Sequence, residues 1–209
     1  MSLYGAFDST KHLSELATGL PASGQAPTMT AAERQAATLA NLYGTGVVAM
    51  TEGSGIAGTG TVYAASVQKV GEIYHTKILI DLTGLNGGGT LLDIIGGNGL
   101  ANCHIGQVTA ATNGAVTAIQ MTCLEAPAGS GTDIDLYSAS VGTGVEDADV
   151  SALAGAASLI ASGAAWTNGR VLGATAVPAA GHYLYLAEGG TPSAGTYTAG
   201  KFLLDIYGV

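Results

Sequence analysis

The sequence predicts a mostly β protein, an antiparallel β-sandwich of jelly-roll-like form preceded by an N-terminal arm with one short helix. Three observations lead there. From residue 45 onward, short runs of β-branched, aromatic and alternating residues recur with no long helical stretch between them. Gly-rich or Pro-containing turns separate these runs: "GLNGGG", "EAPAGSG", "PAAG" and "EGGTPSAG". Hydrophobic residues make up 47% of the chain and charged residues only 10%, so the chain is not of the polar, highly charged kind that stays disordered. Gly accounts for 33 of 209 residues, which suits a turn-rich fold with a weakly polar surface open to subunit contacts.

Residues 1–44 form the arm. Gly5, Gly19, Pro21, Gly24 and Pro27 interrupt any period, so the first part reads as extended. Thr30 and Glu33 make a capping box, and Ala32, Ala36, Leu39, Ala40 and Tyr43 recur at helical spacing before Gly44. A short amphipathic helix is therefore expected over 30–43. Its apolar stripe is too narrow to make a core. The arm nonetheless carries Leu3, Tyr4, Phe7, Leu13, Leu16, Leu39 and Tyr43, a set expected to dock on a partner.

The β domain is expected over 45–209. "GVVAMT" and "TVYAASVQ" read as strands. "GEIYHTKILIDLTG" alternates, with Ile78, Ile80 and Leu82 on one face and Lys77, Leu79 and Asp81 on the other. "NCHIGQVT" and "AVTAIQMTCL" flank Asn113-Gly114, and a hairpin is expected there. A second is expected at Asn168-Gly169, within "GAAWTNGRVLGATAV". "DADVSALAGAASLIASG" reads as a helical turn followed by a strand, and "TDIDLYSA", "HYLYLAEG" and "GKFLLDIYGV" as three more strands. "HYLYLAEG" is apolar on both faces, so it is expected at a sheet centre or a subunit contact. Trp166, the lone tryptophan, is expected in the core.

Composition excludes several functions. Six Lys plus Arg against fifteen Asp plus Glu give a net charge of −9, so direct nucleic-acid binding and attraction to anionic membranes are not expected. The start carries no basic stretch followed by an apolar run, and no segment approaches the ~18 apolar residues of a membrane helix. Synthesis in a cytoplasm is the simplest expectation.

The chemical motifs are weak. Gly53-Ser54-Gly55-Ile56-Ala57-Gly58 matches G-x-G-x-x-G, but "TGTVYAASV" after it is β-like, so a turn between strands is expected and no cofactor. Cys103 and Cys123 fit no zinc spacing. A two-residue turn at Asn113-Gly114 puts them on opposite faces as free thiols, whereas a bulged register sets them opposite each other. His12, His75, His104 and His182 are scattered and expected to be isolated. Asp133, Asp135, Glu146, Asp147 and Asp149 lack a calcium-loop spacing and are expected on solvent faces and in loops. No catalytic, cofactor or metal set is assigned, and the chain is not expected to be an enzyme.

From "KILIDLTGL" and "DIIG" through "HIGQVT", "CLEAPAGSGTDIDLYSA" and "YTAGKFLLDIYG", about residues 65–209, the chain resembles virion structural proteins of tailed bacteriophages. The resemblance implies a capsid decoration (cement) role, a jelly-roll-like sandwich, homotrimers on the outer surface of the capsid, and the major capsid protein as partner. No catalytic residues carry over. A receptor- or glycan-binding tail or fibre head is the other structural role considered, and the chain lacks the heptads of a coiled-coil stem.

Overall fold

A computed structural model describes residues 50–209. The expected arm and its 30–43 helix, the arm's partner-binding residues Leu3, Tyr4, Phe7, Leu13, Leu16, Leu39 and Tyr43, and His12 lie outside the described residues. So does most of the "GVVAMT" strand, whose last residues Met50 and Thr51 have no regular structure.

The described fold is mostly β with antiparallel sheets. A one-turn helix, α1 (Ser54–Ala57), leads into β1 (Tyr63–Val70) and β2 (Ile73–Asp81). There follow β3 (Asn86–Gly87), β4 (Gly106–Gln107), α2 (Ala110–Asn113), β5 (Val116–Ala128) and β6 (Ile134–Ala139). A 3₁₀ turn (Val150–Ala152) precedes β7 (Ala157–Ile160), β8 (Val171–Gly173), β9 (Tyr183–Glu188), β10 (Gly195–Thr196) and β11 (Ala199–Gly208). Strands β1-β2-β11-β5-β8 make one sheet, β4-β9-β6-β7 a second, and β10-β3 a short pair.

Period-2 alternation puts one face of each strand inside. Ile78 and Ile80 of β2, Phe202, Leu204 and Ile206 of β11, and Ile119 and Met121 of β5 share a single core with Ile134 and Leu136 of β6 and Leu184 and Leu186 of β9. Trp166 joins the two sheets. Its indole N–H donates to the Ile134 carbonyl at 2.8 Å, and its ring meets Phe202 edge-on with centroids 5.2 Å apart. Strand β9 is hydrogen-bonded on both sides, and Leu184, Tyr185 and Leu186 are all buried, which places it at a sheet centre. The helical turn and strand read from "DADVSALAGAASLIASG" are the 3₁₀ turn and β7.

Neither expected hairpin forms. Asn113 closes α2 instead of an exposed turn. Thr109 caps that turn through its side chain, which accepts from Thr112 N at 3.1 Å. The Asn113 amide is buried, accepting from Thr109 N at 3.0 Å and donating to Thr76 Oγ1 at 2.8 Å. The strand before it, β4, joins β9, and the one after it, β5, joins β11. At Asn168-Gly169 the turn is present, closed by Arg170 N donating to the Thr167 carbonyl at 3.0 Å. Only its second arm is a strand, β8, and that pairs with β5. The first arm leaves the ladder to bury Trp166. Four hydrogen bonds from the Arg170 guanidinium to Ser162, Ala164 and Ala165 hold it there.

The G-x-G-x-x-G stretch also differs from expectation, because a helical turn, α1, does follow its first glycine. The spacing comes from packing. A Cβ on Gly53 would lie 1.9 Å from the Asn102 carbonyl oxygen, and one on Gly55 would lie 2.4 Å from Cys103 Sγ. Both sites press on a neighbouring segment, and Ile56 beside them is buried. Gly53→Ala is therefore expected to cost at least ~2 kcal/mol of stability. Gly60→Ala, at φ +72 with nothing within 4 Å, should cost only the left-handed strain, about 1–2 kcal/mol. Denaturant unfolding of the two variants checks the difference; equal losses would show that the Asn102 segment simply moves away.

Candidate interaction surface

The outward face of the five-stranded sheet is built by the other half of the same alternation. Ladder registry aligns its side chains in rows across the strands. One row runs Gln68, His75, Tyr207, Ala118, and the next runs Ser66, Lys77, Asp205, Gln120. A third runs Ala64, Leu79, Leu203, Thr122 and Val171 and is almost wholly apolar. The last holds Asp81, Lys201 and Glu125.

The charges on this face neutralise one another in place. His75 Nε2 lies 2.7 Å from Asp205 Oδ1, with Lys77 Nζ 3.9 Å from the same oxygen. The imidazole stacks on Tyr207, centroids 4.5 Å apart and planes 13° from parallel. Lys201 bridges Glu125 and, at 3.3 Å, Asp81. Burial pushes the Asp81 carboxyl up, but hydrogen bonds from Thr83 and Lys201 outweigh it and hold the group below its usual range. Around these pairs Leu124, Val171, Val177 and Tyr207 are exposed at 47%, 46%, 47% and 38%. An open groove of about 490 Å³ lies at the β8 end, between Thr117–Gln120, Gly173–Val177 and Tyr207. The face thus combines apolar side chains, self-compensated charge and a groove, a mixture of apolar and polar surface like that of protein–protein contacts.

The other candidate residues divide differently from expectation. His75 is not isolated, and among the described residues Asp205 is its ring's sole hydrogen-bond partner. A carboxylate–imidazole pair could orient a base, but here one face of the imidazole stacks on Tyr207. His104 sits against Tyr183 at 4.8 Å, and burial lowers its pKa. Asp133, Asp135 and Glu146 are not on solvent faces; they are buried and accept backbone N–H groups of Gly190, Ser162 and Gly99 at 2.9, 2.7 and 2.8 Å. Asp149 caps the 3₁₀ turn through Ser151 N at 2.7 Å. Among the described residues no group of three or more His, Cys, Asp or Glu is placed to hold a metal ion. No local pattern announces the roles of Asp133, Asp135 and Glu146, because each of their donors is distant in sequence.

Glu188, which the sequence did not single out, is the most connected carboxylate. Fully buried at the end of β9, it accepts from Gly89 N at 2.7 Å, Gly131 N and Ser193 N at 3.2 Å and Ser130 Oγ at 3.3 Å. Three of the Gly-rich turns meet on it. Asp93 is a second such case. It accepts Thr90 N at 2.7 Å, and burial together with the adjoining Asp147 carboxyl raises its pKa.

Both cysteines are buried free thiols, as the two-residue register implied, although the hairpin behind that inference is absent. Burial pushes the Cys103 thiol up to about 11. Native protein should therefore resist alkylation at neutral pH, and unfolding without reductant should yield two adducts per chain by mass spectrometry. Asp93→Asn is expected to stabilise the fold at pH 7 by about 1 kcal/mol, the net worth of one hydrogen bond, by replacing carboxylate repulsion with an amide–carboxylate contact. The raised folded-state value means that protonated Asp93 favours the native state. That contribution is complete below the unfolded value near pH 4 and is lost as pH rises through the folded one. Thermal melts should show the variant's advantage at pH 7 disappearing below about pH 4.

Comparison with known proteins gives no relative: no family model, no curated protein and no solved structure matches the chain.

Proposed function

We propose that the chain is a decoration protein of a tailed-phage capsid, binding the major capsid protein shell from outside as a homotrimer and stabilising the head. One observation carries most weight: the outward face of the five-stranded sheet, with its apolar row between self-neutralised charge rows. Such a face suits repeated, modest contacts with a protein lattice, and repetition multiplies weak contacts into firm attachment. The sequence resemblance over residues 65–209 supports the same role. The fold reading that goes with it is a jelly-roll-like sandwich. In its favour, the chain crosses repeatedly between the two larger sheets: β4 belongs to the four-stranded sheet, β5 to the five-stranded one, β6 and β7 to the former, β8 to the latter, β9 to the former and β11 to the latter. The arm residues 1–44 are the second contact of this reading, docking on a neighbouring copy or the shell.

Leu124→Glu and Val171→Glu test it. Both side chains are nearly half exposed, so each change should alter stability by no more than about 0.5 kcal/mol. Purified virions carrying the double variant should bind fewer copies and lose heat resistance, and sedimentation of the free wild-type protein should give three chains of 20.5 kDa. Immunogold labelling at the tail tip instead of the head, or unchanged occupancy of the variant, overturns the proposal.

A further inference from the structure

The row Gln68, His75, Tyr207 and Ala118 crosses the outward face beside the groove, and the tyrosine ring in it is unevenly covered. On the β2 side the His75 imidazole stacks on Tyr207 with centroids 4.5 Å apart, and Asp205 holds that imidazole in turn at 2.7 Å. On the β5 side the cross-strand neighbour is Ala118, whose methyl group is too small to cover a ring face. Tyr207 is exposed and forms one wall of the groove. Its orientation is therefore set before anything binds, and a ligand stacking on it loses little to side-chain ordering.

The lining of the groove narrows the ligand. None of its lining residues is charged. Its volume of about 490 Å³ falls within the roughly 300–1,000 Å³ of ligand sites. The Thr117 hydroxyl donates to the Tyr207 carbonyl at 3.2 Å and the Thr175 hydroxyl to that of Leu159 at 3.4 Å, which leaves both oxygens as acceptors. Gln120, exposed in the same lining, adds an amide donor and an acceptor. A flat ring face edged by neutral donors and acceptors matches a pyranose, which carries C–H groups on one face and hydroxyls around its rim. The electron-rich face of Tyr207 attracts such C–H groups. A protein side chain anchors best in an enclosed, fully desolvated pocket, and this groove is open.

We propose that this groove binds a neutral oligosaccharide, one sugar ring stacking on the free face of Tyr207 and its hydroxyls bonding Gln120, Thr117 and Thr175. The proposal does not rest on the capsid reading: from Tyr207 to Leu203 in the apolar row is four residues of β11, about 13 Å. An array of neutral and acidic oligosaccharides probed with the full chain tests it, with NMR titration giving the dissociation constant of the strongest binder. Neutral glycans should bind in preference to acidic ones, and the Ile119, Ala174 and Thr175 amides should shift. Tyr207→Ala should weaken binding by ~10-fold or more, and Tyr207→Phe should retain it. Ala118→Leu, which covers the free ring face and leaves the His75 stack alone, should weaken binding similarly. Should Tyr207→Ala unfold, Ala118→Leu decides. Absence of binding to every neutral glycan overturns the proposal. So does binding confined to acidic glycans, or binding that neither variant weakens, which means another site. Lowered virion occupancy of Ala118→Leu, with no glycan bound by the free wild-type chain, also overturns it and makes the groove a protein contact.

Discussion

Strand β11 is the member on which the rest of the fold depends. It is hydrogen-bonded to β2 on one side and to β5 on the other, so without it the large sheet falls into two separate pieces. Its two faces do different work. Phe202, Leu204 and Ile206 are buried in the core, and Phe202 meets Trp166, whose indole is tied to β6 of the other sheet. Lys201, Leu203, Asp205 and Tyr207 face outward and set the rows of the candidate interaction surface. One alternating decapeptide therefore fixes the sheet order, the seam between the sheets and the composition of the exposed face. Because its partners β2 and β5 lie far back in the chain, pairing must close long loops, which implies slow folding.

A second constraint explains where the scarce charges go. Backbone N–H groups in Gly-rich turns cannot all find sheet partners, and buried ones must be satisfied. Glu188, Asp133, Asp135, Asp93 and Glu146 satisfy them from inside the protein. Arg170 does the converse for the carbonyls of the loop that carries Trp166, and lies 5.1 Å over the Trp166 ring. With these groups used internally, and Lys77 and Lys201 matched to carboxylates on the outward face, that face is left weakly polar. A weakly polar face whose charges are already paired suits contact with another protein.

Much of the fold was readable from local pattern. Ile78, Ile80 and Leu82 fall on the buried face that the alternation of "KILIDL" assigns them. The doubly apolar "HYLYL" lies at a sheet centre, and the terminal strand is built into a sheet. The outward face of β11 follows from the same alternation once its inward face is known. What escaped was every relation between distant segments. His75 and Asp205 are 130 residues apart. The donors to Glu188 come from several separate turns, and the strands beside Asn113-Gly114 and Asn168-Gly169 chose partners other than each other.

By itself, then, the sequence determined the class of structure, the position and facing of most strands, the buried tryptophan and the low charge. These are properties of nearest neighbours, set by period-2 burial and turn chemistry over a few residues. Tertiary structure alone decided strand partners, and with them the failure of both hairpins, the burial of the carboxylates and the rows of the outward face. A turn signal such as Asn-Gly is worth only about a kilocalorie. Seating β4 and β5 in different sheets lets Ile105, Ile119 and Met121 all join one core, and burying three such side chains is worth several times as much.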